Sequence, residues 1–156
     1  MISKQKEQAE IFRHLLAAGF IKVEDVISWA DSIIVKEREP DFEIIEISLS
    51  SSKPKVEVTS LLHKVKGDYN SVDVIRKSMV EIHKVLVKEP IRGYEIAKWL
   101  IQLAESGELP EDEFNSEPYG ILDSFDLARN KIYGTEQEAS SRLIIYLQEQ
   151  INKISE

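Results

Sequence analysis

The spacing of apolar residues constrains the fold of this chain more than any other sequence feature. In GFIKVEDVISWADSII, residues 19–34, the apolar residues occur at i, i+3, i+4, i+7 and i+11, as Val23, Val26, Ile27, Ala30 and Ile34. This spacing places them on one face of an amphipathic helix. Glu24 and Asp25 lie in its first turn, where carboxylates interact favourably with the helix dipole. The segment therefore predicts a helix.

Helical spacing recurs along the chain between Gly, Pro and capping residues. A preceding helix is predicted from about residue 3 to 18, with Gly19 just beyond its end. Thr135 and Glu138 form a capping-box pattern at the start of a final helix. Further helices are predicted near residues 41–49, 54–65, 70–86, 90–106 and 119–131. In the 41–49 segment the apolar residues predicted to share one side are Phe42, Ile45 and Leu49.

The helix count predicts an all-α protein, a single compact bundle of about seven or eight helices. Its 156 residues fit one domain, 1–156, and no linker is long enough to divide them. No repeat of fixed period occurs, so a consensus solenoid is not supported. EISLS and KVEV alternate as strands do, which leaves open a short strand-like segment near 44–58.

Composition excludes several classes of site. The chain has no Cys, so it forms no disulfide, zinc–thiolate site or thiol nucleophile. Its N-terminal stretch is polar and lacks the apolar region of a signal peptide. The longest apolar runs are far shorter than a membrane span. We therefore expect a cytoplasmic protein with no membrane partner.

Acidic residues are concentrated in one part of the chain. Between Lys98 and Arg129 there is no Lys or Arg, and the eight acids of this interval match the net charge of −8. Elsewhere acids and bases balance. Such a cluster is either a solvated face that aids solubility or a surface that attracts a cationic partner.

Aromatic residues within the acidic interval favour a binding role, because aromatic anchors often dominate interfaces. Phe114 and Tyr119 are the candidate anchors. The predicted partner-binding residues are Glu105, Glu108, Glu111, Asp112, Glu113, Phe114, Glu117, Tyr119, Asp123 and Asp126. The predicted partner is a basic protein, and a homo-oligomer is left open.

Metal-binding patterns are weak. EDEFNSE, residues 111–117, supplies oxygens but lacks the ligand spacing of a calcium loop. Glu10 and His14 are four apart on a helix, and an exposed pair without a ligand is the favoured interpretation. His83 is predicted to lie at the boundary of the core. No metal site and no cofactor are predicted.

Signatures of catalysis and of nucleic-acid binding are also missing. The chain has no G-x-S-x-G, no Walker A motif and no G-x-G-x-x-G, so it is predicted not to be an enzyme. The helix over 23–35 contains no Lys, Arg, Asn or Gln to read DNA bases. Phosphate would also repel a chain of net charge −8, so nucleic acid is not an expected partner. Trp29 and Trp99 are predicted to be core or core-edge residues.

The segments GFIKVEDVISWADSII, PDFEIIEISLS and PYGILDSFDLA resemble small helical bacterial proteins of uncharacterised function. Some similar proteins occur beside polymorphic toxins and are thought to act as immunity proteins. The resemblance implies an intracellular, non-catalytic binder that occludes a toxin, commonly a cationic nuclease. The alternative is a structural or scaffold module that self-associates.

Overall fold

A computed structural model describes residues 1–109 and 116–154. These residues form eight α-helices and one short 3-10 helix, Pro90–Arg92. The α-helices are α1 (Lys4–Ala17), α2 (Val23–Lys36), α3 (Phe42–Ser48), α4 (Lys55–Lys64), α5 (Ser71–Lys88), α6 (Gly93–Glu105), α7 (Glu117–Arg129) and α8 (Glu136–Asn152). The predicted all-α class and the number of helices are confirmed.

The strand-like alternative near 44–58 is not adopted. Helices α3 and α4 cover most of this region, and KVEV lies in the first turn of α4. Over the two described ranges, extended pairing is limited to an isolated bridge between Ile2 and Asp68. Alternation over four or five residues is too short a signal to prevail over helical packing.

The chain divides into two units, Met1–Asn70 and Ser71–Glu156. In the first unit, α1 packs on α4, α2 on α3, and α3 on α4. The Ser3 side chain caps α1 by accepting from the Lys6 N–H at 3.1 Å. Gly19, with φ of 82°, ends the same helix as predicted. The core of this unit comprises Ala9, Leu16, Val26, Ala30, Ile44, Ile47, Val58, Leu61, Leu62 and Val65.

The side of α3 that carries Phe42, Ile45 and Leu49 is not its buried side. Phe42 is 67% exposed and Leu49 is 72% exposed, and Ile45 is also exposed. Ile44 and Ile47 are instead fully buried. Both sets have helical spacing in this seven-residue helix, so periodicity alone does not rank them. The set that packs against α2 and α4 becomes the core side.

In the second unit, α8 packs on α5 and α7, and α7 packs on α6. Helices α6 and α7 are antiparallel, because Tyr94 near the start of α6 contacts Phe125 near the end of α7. Thr135 caps α8 by accepting from the Glu138 N–H at 3.1 Å, as its sequence predicts. None of the helices in the described ranges is both long and apolar enough to cross a membrane.

The two tryptophans lie where the sequence predicts. Trp99 is buried on α6. Trp29 is partly buried and packs edge-on against Phe12, with ring centroids 5.3 Å apart. Each therefore contributes to the apolar packing of its own unit.

Candidate acidic binding surface

Six of the ten predicted partner-binding residues lie in the described part of the chain. They are Glu105, Glu108, Glu117, Tyr119, Asp123 and Asp126. The other four, Glu111, Asp112, Glu113 and Phe114, fall outside the described residues. The six belong to the end of α6, the turn after it, and α7.

Glu105 and Glu108 are exposed at the C-terminal end of α6. The helix ends in a Schellman arrangement, in which the Glu108 N–H donates to the Leu103 carbonyl and the Gly107 N–H to the Ala104 carbonyl. A carboxylate at this end of a helix faces the negative pole of the helix dipole. A stabilising effect on α6 therefore does not explain why these two positions are acidic.

Asp126 has a structural partner. The Tyr94 hydroxyl donates to its Oδ1 at 2.9 Å, and this hydrogen bond raises the pKa of Tyr94 above its usual value. The Arg129 guanidinium lies 4.0 Å from the centre of the Tyr94 ring. Asp126 thus helps to join α6 to α7 and is half-buried, so it is a weaker candidate for partner contact.

Glu117 also has a partner within the chain. Arg142 on α8 donates to its two carboxylate oxygens at 2.6 Å and 3.2 Å. The Nη1 of Arg142 donates to the Gly120 carbonyl and to Ser124 Oγ, each at 3.0 Å. The hydrogen bond to Glu117 raises the pKa of Arg142 further above its usual value. Arg142 therefore places a positive charge beside the acidic interval, which contains no basic residue of its own.

Three carboxylates and one aromatic ring remain at the surface. Glu105, Glu108 and Asp123 are exposed, and Tyr119 is 45% exposed. The antiparallel packing of α6 and α7 places the end of α6 beside the start of α7. We define the acidic surface as Glu105, Glu108, Glu117, Tyr119 and Asp123. Its charge is four carboxylates against the single guanidinium of Arg142.

A small open cavity adjoins this surface between α7 and α8. Its volume is about 220 Å³, and it is lined by Glu117, Arg142, Ile145, Tyr146 and Glu149. Ile145 and Glu149 are exposed, whereas Tyr146 is almost fully buried. The sequence does not predict this cavity, because its residues come from two helices that are distant along the chain.

The most heavily buried charge of the first unit is Glu10, which sequence reasoning placed at an exposed position. Its side chain has no exposed surface. Lys6 Nζ lies 3.2 Å from Oε2 and Arg13 Nε 3.0 Å from Oε1. His63 Nδ1 lies 3.2 Å from both oxygens. We refer to Lys6, Glu10, Arg13 and His63 as the Glu10 network.

Two opposing effects set the pKa of Glu10. Burial raises it, whereas the hydrogen bonds and charge of Arg13, with the hydrogen bonds of His63 and Lys6, lower it more. The net result is a pKa below the usual value, so Glu10 is ionised at neutral pH. Both oxygens are occupied by partners from α1 and α4, which makes this network a structural link rather than an open site.

His14 and His83 lie outside the Glu10 network as defined above. His14 Nε2 lies 3.4 Å from Arg13 Nη2. His83 is half-buried, consistent with the predicted boundary position, and its buried Nε2 has no hydrogen-bond partner among residues 1–109 and 116–154. Within those residues, no group of three or more His, Asp or Glu side chains is arranged to hold a metal ion.

Comparisons with known proteins assign no relative. No protein-family model matches the sequence, and neither the comparison with curated proteins nor that with solved structures finds a significant match.

Proposed function

We propose that this protein is a non-catalytic binding module of the cytoplasm, an immunity-type inhibitor that docks its acidic surface on a cationic partner such as a nuclease toxin. The observation that carries the proposal is the exposure of Glu105, Glu108 and Asp123 beside the exposed ring of Tyr119. Complementary charge of this kind accelerates encounter with a basic protein and selects against acidic ones.

The position of the charges supports the same proposal. Glu105 and Glu108 stand at the helix end where carboxylates are least favourable, and no basic residue lies between Lys98 and Arg129 in sequence. Tyr119 offers the amphipathic aromatic surface that interfaces commonly use as an anchor. Exposed carboxylates together with an exposed aromatic ring are features expected of a fast, salt-sensitive inhibitor.

The experiment is capture of a partner from a lysate of the native cells by two charge-reversed proteins of equal net charge. The first carries Glu105→Lys, Glu108→Lys and Asp123→Lys, which reverse the three exposed acids of the acidic surface. The matched control carries Glu24→Lys, Glu39→Lys and Glu57→Lys, which alter exposed acids in the other unit. The captured protein is identified, purified and titrated against each variant.

We expect the wild type and the control to retain one basic protein that high salt releases. The first variant should lose most of it, because reversal turns attraction into repulsion. If the first variant binds that protein with the wild-type affinity and salt dependence, the acidic interval serves solubility alone.

A self-associating module is the second candidate, and the outward side of α3 favours it. Phe42, Ile45 and Leu49 share that side and are exposed. A group of apolar side chains on a helix face is a common feature of protein interfaces. Sedimentation equilibrium of the wild type and of a Phe42→Asp/Leu49→Asp variant tests this candidate. A wild type that stays monomeric at high concentration excludes it.

A further inference from the structure

The cavity between α7 and α8 combines apolar walls with carboxylates. Ile145 and Tyr146 supply the apolar wall, and Glu117 and Glu149 supply the carboxylates. Such a pairing of an apolar lining with a few placed polar groups is typical of ligand sites. The lining residues therefore indicate the chemistry of a ligand that fits the cavity.

The charge inside the cavity is already partly compensated. Arg142 has its donors committed to Glu117, to the Gly120 carbonyl and to Ser124 Oγ. Asp123 adds a second favourable electrostatic interaction with the same guanidinium. Gly120 allows this arrangement, because a Cβ there would collide with the Arg142 guanidinium. Arg142 is thus held in place by α7 and presents little unpaired positive charge to the cavity.

Glu149 is the carboxylate that this arrangement leaves over. It is exposed at the cavity wall, and no ion pair joins it to another residue of the described ranges. Together with Glu117 and Asp123 it gives three carboxylates around one guanidinium. The local field is therefore negative, and it favours a cation over a neutral or anionic group.

The size of the cavity limits the occupant further. Its volume of about 220 Å³ is smaller than the roughly 300–1,000 Å³ of sites for drug-sized ligands. A single extended side chain suits this space better than a cofactor. Lys and Arg side chains carry an aliphatic stem and a cationic head, which match an apolar wall with a carboxylate at its edge.

We propose that the cavity receives a Lys or Arg side chain of the basic partner, with its stem against Ile145 and Tyr146 and its cationic head at Glu149. This inference rests on the proposed function, since it names the anchor by which the same partner would be held. It extends the binding face beyond the acidic surface to residues of α8 that sequence reasoning did not single out.

The test uses Nα-acetyl-lysine N-methylamide as the probe and backbone amide NMR shifts of the full-length protein as the readout. The comparison ligand is Nα-acetyl-norleucine N-methylamide, which keeps the aliphatic stem and lacks the ammonium. Titration extends to roughly 50 mM, because a fragment of this size binds weakly. Glu149→Gln is the test variant, and Glu57→Gln is the matched control at an exposed site outside the cavity.

We expect the lysine probe to shift amides of residues 117–120 and 142–149, with an affinity about two- to fivefold lower for Glu149→Gln, the usual range for an exposed charge pair. Glu57→Gln should behave as the wild type. The inference is overturned by absent shifts at 142–149, by an equal response to the norleucine compound, or by unchanged affinity in Glu149→Gln.

The outcome separates this inference from the proposed function. A captured partner whose affinity is unchanged by Glu149→Gln overturns the cavity anchor and leaves the inhibitor in place. If the lysine probe binds at residues 142–149 but the protein captures no partner, the cavity is a site for a lysine side chain and the proposed inhibitor function is contradicted.

Discussion

The Lys6 ammonium donates to the main-chain carbonyl oxygen of His63 at 2.6 Å, although the two residues are 57 positions apart. The same nitrogen lies 3.2 Å from Glu10 Oε2 and 5.4 Å from the centre of the Tyr69 ring. Lys6 is almost fully buried, so these contacts replace the hydration that its ammonium loses on burial. The Glu10 network therefore connects α1 to α4 through Lys6 and Glu10, whose side chains are almost fully buried.

Glu10→Gln should destabilise the protein strongly. The amide keeps the size of the carboxylate but leaves Lys6 as a buried cation without its counter-charge. Loss of one partner from a buried pair costs about 3–5 kcal/mol. The free energy of unfolding from urea titration measures the effect, with exposed Glu57→Gln as the control at about 0.5 kcal/mol or less. A cost for Glu10→Gln as small as that of the control contradicts the buried-charge account.

The same residue predicts a pH dependence. The pKa of Glu10 is lowered by folding from its usual 4.5, so the folded protein binds this proton less readily than the unfolded chain. Its stabilising contribution is complete well above pH 4.5 and is lost as the pH falls through the folded-state pKa.

Urea titrations of the wild type and of Glu10→Gln across acidic pH measure this contribution. Other carboxylates titrate in the same range, but they affect both proteins alike. The difference in unfolding free energy should shrink below pH 4.5. A difference that stays constant across that range rules out an ionised Glu10 as its source.

Substitutions on the two sides of α3 should have unequal effects. Ile44→Ala removes a fully buried side chain and should cost about 2–5 kcal/mol. Phe42→Ala removes an exposed one, with an expected effect of about 0.5 kcal/mol or less. Thermal unfolding of both variants measures the difference. Equal destabilisation would show that α3 is rotated from the position described here.

Gly67→Ala should destabilise the first unit more than Gly19→Ala does. Both glycines have positive φ, 126° and 82°, a conformation that costs other residues about 1–2 kcal/mol. At Gly67 a Cβ would in addition lie 2.5 Å from Ser3 Cβ, whereas at Gly19 it meets nothing within 4 Å. The ranking of their urea midpoints tests this, and a reversed order contradicts the close approach of Ser3.

Much of the helical architecture could be predicted from sequence, for local reasons. Gly19, Gly107 and Thr135 mark helix ends through backbone conformation and capping, which depend on neighbouring residues only. The stripe of α2 was sufficient to indicate its buried face, which contains Val26 and Ala30. In α3 two stripes compete, and contacts with other helices decide between them.

The charges were harder to predict, because their partners are distant in sequence. Glu10 and His63 are separated by 53 positions, and Glu117 and Arg142 by 25. The interval is acidic in composition, but Arg142 and Tyr94 donate hydrogen bonds to two of its carboxylates. The i, i+4 spacing of Lys6 and Glu10 and the i, i+3 spacing of Glu10 and Arg13 were the local signals available for the buried network.

The most direct test of the proposed function is the affinity for the captured basic protein at two salt concentrations. Calorimetry compares the wild type with the variant Glu105→Lys/Glu108→Lys and with the control Glu39→Lys/Glu57→Lys. Each protein is measured at about 0.1 M and about 1 M salt, because the Debye length falls from about 10 Å to about 3 Å between these concentrations. We predict tight, salt-sensitive binding by the wild type and the control, and weak binding by the first variant. Capture of no basic protein, or equal affinity for all three proteins at both salt concentrations, contradicts the proposed acidic binding surface.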